Sequence, residues 1–87
     1  MVSRTVKVEN AVGLHARPAT YFIQKANSYL STITIECEGG KVNAKSLLGV
    51  LSLGIHQNSE IVLTANGSDE NEAVEGLVAL VEAGFSE

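Results

Sequence analysis

Residues 32–44, TITIECEGGKVNA, predict two short strands joined by a tight turn. The first strand alternates strictly between polar and apolar side chains, so one of its faces is expected to lie in a core and the other in water. Gly39 and Gly40 both tolerate a positive φ, which predicts the turn at this pair and a returning strand over 41–44. The residues expected in the core are Ile33, Ile35 and Cys37.

Helical spacing is present on both sides of this hairpin. Before it, apolar residues recur every three or four positions, and Pro18 fits only the first turn of a helix, where a missing N–H costs nothing. The buried face of this first helix is expected to consist of Ala16, Ala19, Phe22, Ile23, Ala26 and Leu30. After the hairpin, Ser46 is predicted to cap a short helix over 47–53.

The remaining segments complete an α+β fold. A strand is predicted where Val6 and Val8 alternate with polar neighbours, and a central strand is predicted over 60–66. Ser68 or Asp69 is expected to cap a last helix. Its apolar face is expected to consist of Ala73, Val74, Leu77, Leu80 and Val81. The order β-α-β-β-α-β-α, with one wet face on each strand, predicts an open-faced β-sandwich: a four-stranded, mostly antiparallel sheet with three helices on one face.

Size and composition are those of an ordinary globular unit. The 87 residues are 45% hydrophobic and 18% charged. A chain of this mass buries about 63% of its unfolded surface, which is enough for one two-layer core. Residues 1–87 are therefore expected to form a single domain. No apolar run approaches the roughly 18 residues of a membrane span, and the first five residues lack the apolar stretch of a secretory signal.

Charge and cysteine content exclude several classes of function. Ten acidic and six basic residues give a net charge of −4, which argues against direct binding of nucleic acid. Because Cys37 is the only cysteine, neither an internal disulfide nor a cysteine-rich zinc site is expected, and a reducing, cytoplasmic setting is the simplest interpretation. The sequence has no Walker-type Gly-Lys-Ser/Thr loop and no dinucleotide glycine motif, so neither an ATP-using enzyme nor a bound cofactor is expected. No metal site is expected, because His15, Cys37 and His56 lack the spacing of zinc ligands.

The segment 13–19, GLHARPA, carries the residues best suited to chemistry. The first N–H groups of a helix lack backbone partners and carry partial positive charge, so such an end binds phosphate and other anions. His15 stands just before the predicted helix, and a neutral imidazole has a lone pair that can act as a nucleophile. Arg17 adds a permanent charge whose planar fork matches phosphate oxygens. From these residues alone, a helix cap and a solvated surface charge are equally good interpretations.

Three segments resemble the HPr family, the histidine-containing phosphocarriers of the bacterial phosphotransferase system. They are 13–19, 43–54 (NAKSLLGVLSLG) and 67–73 (GSDENEA), and the resemblance extends over the whole chain. It implies that His15 accepts a phosphoryl group on Nδ1 from enzyme I, itself charged by phosphoenolpyruvate, and passes it to a histidine of a sugar-specific IIA domain. It also implies that Arg17 steadies the phosphoryl oxygens. A carrier of this kind is not an enzyme but a reusable protein substrate.

The same resemblance gives Ser46 a regulatory role beside its predicted cap. In Gram-positive-type members this serine is the target of HPr kinase/phosphorylase, and the phosphorylated protein binds the catabolite repressor CcpA. A phosphate there would place a charge of about −1.5 to −2 beside apolar side chains that we expect to dock partners. Leu47 and Leu51 are expected to point outward near His15. The surface expected to contact partners comprises Thr20, Leu47, Leu48 and Leu51.

Two other functions stay open. A purely regulatory HPr-like protein would act through phosphorylated Ser46, although the known relative of that kind lacks the histidine present here as His15. A small enzyme or metal-binding domain has little support, because paired carboxylates or ligand clusters at useful spacing are missing. His56 is expected to be a loop residue without a role, and Cys37 a small core residue. A monomer is expected, since docking requires a free surface around His15.

Overall fold

The computed structural model describes residues 1–85, which form one four-stranded sheet and three helices. The strands are β1 (Val2–Lys7), β2 (Thr32–Cys37), β3 (Gly40–Asn43) and β4 (Glu60–Asn66). The helices are α1 (Ala16–Asn27), α2 (Leu47–Ser52) and α3 (Glu70–Glu82). The strands lie in the order β1-β4-β2-β3, and each neighbouring pair is antiparallel. The predicted α+β open-faced sandwich and its order of elements are confirmed.

The core lies between the helices and one face of the sheet. Ile33, Ile35 and Cys37 point into it, as the alternation of β2 predicts. Burying an apolar side chain the size of isoleucine stabilises a fold by about 1.5–3 kcal/mol. Phe22 of α1 meets Phe85, which follows α3, edge to face with 6.4 Å between the ring centroids. This aromatic pair ties the two long helices to each other.

The opposite face of the sheet carries polar side chains. Thr32 is exposed and Glu36 is half-buried on this face of β2, and the hydroxyls of Ser3 and Thr64 lie 2.8 Å apart across β1 and β4. This face is open to water, as predicted. Among residues 1–85, no helix is both long enough and apolar enough to cross a membrane.

The hairpin turns one residue earlier than predicted. Its two loop residues are Glu38 and Gly39, with φ of 48° and 86°, and Cys37 pairs directly with Gly40. Two positive φ values in succession are those of a type I′ turn, whose twist matches the flanking strands. Gly40 instead opens β3, where a Cβ would come within 2.8 Å of Leu53 Cδ2. The turn therefore does not require glycine at position 40, and the Leu53 side chain, whose end lies nearest, could move aside for a Cβ.

Helix α1 is shorter than predicted. It ends at Asn27, so Leu30 lies outside it and is 85% exposed. Ala16, the first residue of the helix, is exposed too, and the expectation that these two side chains lie in the core is wrong. The backbone N–H groups of Leu30 and Ser31 donate to the carboxylate of Asp69, at 2.8 and 2.9 Å. These bonds direct the chain into β2 before another helical turn forms.

Asp69 is the N-cap residue of α3, but its carboxylate does not cap that helix. Its oxygens accept from the backbone of Leu30 and from both the backbone and the hydroxyl of Ser31. Glu70 stabilises the start of α3 instead, because its Oε1 accepts from Gly67 N at 3.0 Å. The hydrogen bond from the Ser31 hydroxyl is the main cause of a lowered pKa at Asp69, followed by the bond from Leu30 N.

An Asp69→Asn protein is expected to have a lower Tm than the wild type near neutral pH, and the difference should shrink in acid. The pKa of Asp69 is held below its ordinary 3.8 in the folded protein. Its contribution to stability is therefore fully present above about pH 4 and is lost as the pH falls through the lower folded-state pKa. Thermal unfolding followed by circular dichroism between about pH 2 and pH 6 measures this. Glu75→Gln, on the exposed side of α3, is the control, and an Asp69→Asn deficit that stays constant across this range would contradict the linkage.

Candidate functional site

His15 stands immediately before α1 with its side chain exposed. Its backbone is extended (φ −78°, ψ −173°), and its carbonyl accepts the first helical hydrogen bond, from Ala19 N at 2.9 Å. The imidazole does not cap the helix, and none of the first-turn residues of α1 is acidic. The first N–H groups of α1 and the imidazole are thus neighbours at an end of a helix that favours negative charge.

The loop before His15 is held tightly against a second loop. Leu14 N donates to Ile55 O at 3.1 Å, and both of these side chains are buried. Gly13 has φ of 61°, and a Cβ there would lie 2.5 Å from His56 Cα and 2.6 Å from Ile55 O. Because a real Cβ cannot approach a backbone so closely, only glycine fits at this contact. The loop that contains Gly13 and the loop that contains His56 are therefore packed directly against each other beside His15.

His15 and His56 border the same shallow depression of about 230 Å³, which we call the His15 depression. Its lining residues are Leu14, His15, Ala16, Leu51, Gly54, Ile55 and His56. The two imidazoles are the ionisable side chains of this lining, and none of its residues is acidic. The depression therefore places the start of α1 and two imidazole side chains around the space that an anion would occupy, with no acidic residue in its lining.

Arg17 points away from the His15 depression. Its exposed guanidinium lies against Tyr21, with 3.4 Å between Arg17 Nε and the Tyr21 hydroxyl, and this hydrogen bond raises the pKa of Arg17 above its ordinary value. The two residues border a second depression of about 580 Å³, together with Asn10, Val12, Pro18, Gly84 and Phe85. The structure thus places the His15 and Arg17 side chains on different flanks of the start of α1. Exposed side chains change rotamer within nanoseconds, so the Arg17 charge is not held on its flank.

Ser46 caps α2, as predicted. Its Oγ accepts a hydrogen bond from Gly49 N at 3.1 Å. Beyond it, Leu47 is 41% and Leu48 is 81% exposed, whereas Leu51 is half-buried and lines the His15 depression. Adjacent exposed apolar side chains of this size are typical of a docking surface. Leu51 therefore joins this apolar surface to the depression, and Leu47 lies outside the lining.

Two further residues differ in how they relate to the depression. Thr20 is exposed on α1, its hydroxyl donates to Ala16 O at 2.8 Å, and it lines neither depression. His56 lies in a loop, as predicted, yet it shares the depression with His15. The expectation that His56 has no role does not take this neighbour into account. The sequence signal for the contact is Gly13, because a glycine beside a candidate site can mark the close approach of another backbone.

Metal-binding side chains do not converge in the part of the chain that the structure describes. Within residues 1–85 there is no group of three or more His, Cys, Asp or Glu side chains that could hold a metal ion. Cys37 is 4% exposed, and burial is the main cause of the raised pKa of its thiol. Cys37 is thus a core residue, as predicted.

The topology and the exposed histidine before α1 together define a class of small α+β proteins that present one imidazole at the start of a helix. Residues 2–83 match the family described as the PTS HPr component phosphorylation site. The chain belongs to this HPr family. The phosphocarrier proteins of this family are not enzymes themselves.

Individual relatives are similar along nearly their full length. The HPr-like protein Crh of Halalkalibacterium halodurans is 50% identical over 82 residues, which cover 94% of this chain and 98% of Crh. The crystal structure of HPr-C-His from Thermoanaerobacter tengcongensis has a TM-score of 0.96 and 46% identity, covering 100% of this chain and 98% of that one. The crystal structure of Bacillus subtilis Crh, a dimer with a swapped domain, has a TM-score of 0.77 and 44% identity, covering 100% of both chains. Because a relative forms a dimer, the monomeric state of this chain stays a prediction.

Proposed function

We propose that residues 1–87 act as one phosphocarrier domain of the sugar phosphotransferase system, in the cytoplasm. His15 takes a phosphoryl group from the phosphohistidine of enzyme I and passes it to a histidine of a sugar-specific IIA domain. The observation that carries this proposal is the position of His15 at the start of α1. Its imidazole is exposed and makes no capping hydrogen bond to the helix. The family of the chain agrees with it.

The transfer exchanges one imidazole for another. The lone pair of His15 Nδ1 attacks the phosphorus of the donor phosphohistidine, a new N–P bond forms, and the electron pair of the broken N–P bond returns to the donor imidazole. Because the bond broken and the bond formed are alike, the step is close to isoenergetic and consumes no nucleotide. What remains for the protein is to position the ring and to stabilise the negative charge that arrives.

Two features stabilise that charge in the proposed carrier. The partial positive charge at the start of α1 favours an anion on the neighbouring imidazole. Arg17 is two residues further along and exposed, so its guanidinium can leave Tyr21 and bind the phosphoryl oxygens. The guanidinium then exchanges one hydrogen bond to the Tyr21 hydroxyl for charge-assisted hydrogen bonds to the phosphoryl oxygens.

The test of this function is phosphate uptake by the wild-type protein from enzyme I and labelled phosphoenolpyruvate. We expect about one equivalent of phosphate per chain, stable in alkali and lost in acid, which is the stability of a phosphoramidate bond. The activity of enzyme I is established in parallel with an authentic HPr. Absence of label on this protein, with an active donor, would overturn the proposed carrier function.

We further propose that Ser46 is the regulatory site, phosphorylated by HPr kinase/phosphorylase and then bound by CcpA. Its Oγ stands at the start of α2, where a phosphate is favoured by the helix dipole and keeps an acceptor for Gly49 N. The added charge lies beside the exposed Leu47 and Leu48. Phosphorylation would therefore change the charge of an apolar docking surface while leaving α2 capped.

A Ser46→Asp protein is expected to accept phosphate from enzyme I about tenfold more slowly than the wild type, because a charge at the apolar surface weakens docking. Initial rates at limiting enzyme I measure this. Ser68→Asp, which adds the same charge just before α3, is the matched control and should leave the rate unchanged. Equal rates for Ser46→Asp and wild type would show that the α2 surface does not take part in binding to enzyme I.

The second candidate function is purely regulatory. It is favoured by the 50% identity with the HPr-like protein Crh of Halalkalibacterium halodurans. A regulatory protein would be labelled by ATP and the kinase at Ser46, and would take no phosphate from enzyme I. The acid-labile label described above therefore distinguishes the two functions directly.

A further inference from the structure

We infer that His56 is a second anion-binding residue of the site: in its protonated form it holds the phosphoryl group carried by His15 and makes the stability of that phosphorylated state depend on pH. The inference rests on the proposed carrier function, since it concerns the same phosphoryl group. It assigns a role to a loop residue outside the three segments that carry the family resemblance.

His15 and His56 lie on the same part of the protein surface. His15 and His56 border one depression, and that depression has no acidic residue in its lining. The His56 backbone is fixed relative to His15, because Leu14 N bonds Ile55 O at 3.1 Å and Gly13 lies against His56 Cα. These contacts hold the two loop backbones together, so side-chain rotation is the main way to change the separation of the two imidazoles.

The His56 ring is oriented by a hydrogen bond to the neighbouring backbone. Nδ1 lies 2.9 Å from Gln57 O and therefore carries a proton that it donates to this carbonyl. In this tautomer the other nitrogen, Nε2, carries the lone pair. Nε2 lies 3.9 Å from Glu38 Oε2, and both side chains are mostly exposed, so this contact is weak. A phosphoryl group, which carries up to two negative charges, would compete well with a single distant carboxylate.

The elements around the depression differ in the charge that they bring to it. The turn between β2 and β3 contributes Glu38, which is outside the lining. Helix α1 contributes its positive end and Arg17, but the Arg17 side chain faces Tyr21 on the other flank. Helix α2 contributes the apolar Leu51. In this arrangement the ionisable side chain that shares the depression with His15 is His56, not Arg17.

The direct test is a proton NMR titration of the His56 ring before and after phosphorylation of His15. Phosphorylation is performed with enzyme I and phosphoenolpyruvate, or chemically with phosphoramidate, so that the experiment does not depend on enzyme I as a donor. A neighbouring phosphoryl group should move the midpoint of the His56 titration upward by about half a pH unit, the size expected for exposed charges several ångströms apart. An unchanged midpoint would overturn the inference.

Variants supply a second readout, the equilibrium constant for phosphoryl exchange with phosphorylated enzyme I, which is independent of docking rates. His56→Gln should hold phosphate about threefold less favourably than the wild type at about pH 6 and equally at about pH 8, because imidazole side chains in general lose their charge between about pH 5 and pH 8. His56→Lys should match the wild type at the lower pH and exceed it at the higher pH. Lys7→Gln, which removes a cation from the far face of the sheet, is the control.

The outcomes separate this inference from the proposed function. If the wild type takes no phosphate from enzyme I but the His56 midpoint shifts after chemical phosphorylation, the carrier function fails and the anion-binding role of His56 stands. If the wild type takes phosphate and all His56 variants share its pH profile, the carrier function stands and the role of His56 is rejected.

Discussion

A His15→Gln protein should accept phosphate from enzyme I at least about a thousandfold more slowly than the wild type. A loss of this size in rate is expected when a nucleophile is removed. Glutamine keeps a polar side chain of similar length, but the lone pair of its amide nitrogen is delocalised into the carbonyl and cannot attack phosphorus. The measurement is the labelled-phosphoenolpyruvate assay, with the acid lability of the product as its identity check.

The structure also predicts that this variant folds normally. The His15 side chain is exposed and does not cap α1, so its replacement removes neither a buried contact nor a helix cap, and the Tm should be unchanged. His56→Gln is the matched control: it makes the same substitution in the same depression and should still be labelled. Full labelling of His15→Gln would show that the phosphate is carried elsewhere and would remove the basis of the proposed mechanism.

The second large effect is on stability. Gly13→Ala should lower the free energy of unfolding by about 2–4 kcal/mol, because an L-residue at positive φ costs about 1–2 kcal/mol and an overpacked contact costs a similar amount again. The new Cβ would meet the His56 backbone at 2.5 Å, and this neighbour is held by hydrogen bonds and cannot rotate away. Chemical denaturation measured for both proteins gives the difference.

Gly54→Ala separates the two contributions. Gly54 has φ of 62°, nearly the same as Gly13, but no atom lies within 4 Å of the position that a Cβ would take there. This variant should lose only about 1–2 kcal/mol, the conformational cost alone. If Gly13→Ala and Gly54→Ala are equally destabilised, the close approach of the two loops does not govern the stability of the site.

The parts of the fold that local sequence predicts are those whose cause is local. The alternation of β2 determines which of its faces is buried, and Ser46 three residues before Gly49 determines a cap, so both are predicted correctly. The end of α1 is not predicted correctly, because it depends on the Asp69 carboxylate, which binds Leu30 N and lies 39 residues further along the chain. A helical stripe that continues in the sequence carries no sign of such a distant contact.

The candidate site divides in the same way. His15 can be assigned to the start of α1 from the position of Pro18 alone. That His56 lines the same depression cannot be predicted from the local sequence. His56 is placed there because a hydrogen bond from Leu14 N to Ile55 O joins two loops that are far apart in the chain. The direction of Arg17 likewise depends on which partner its guanidinium binds, and Tyr21 one turn further on is that partner here.

The uncovered side of the sheet has a practical use. Thr32 is exposed there, and the native thiol of Cys37 is buried and has a raised pKa, so it reacts poorly with alkylating reagents. A Thr32→Cys chain could therefore be coupled through one chosen atom to a dye, a bead or a sensor chip. Because the anchor would sit on the opposite layer from α1 and α2, visiting proteins would still reach the imidazole, and their arrival and departure could be followed on the immobilised molecule.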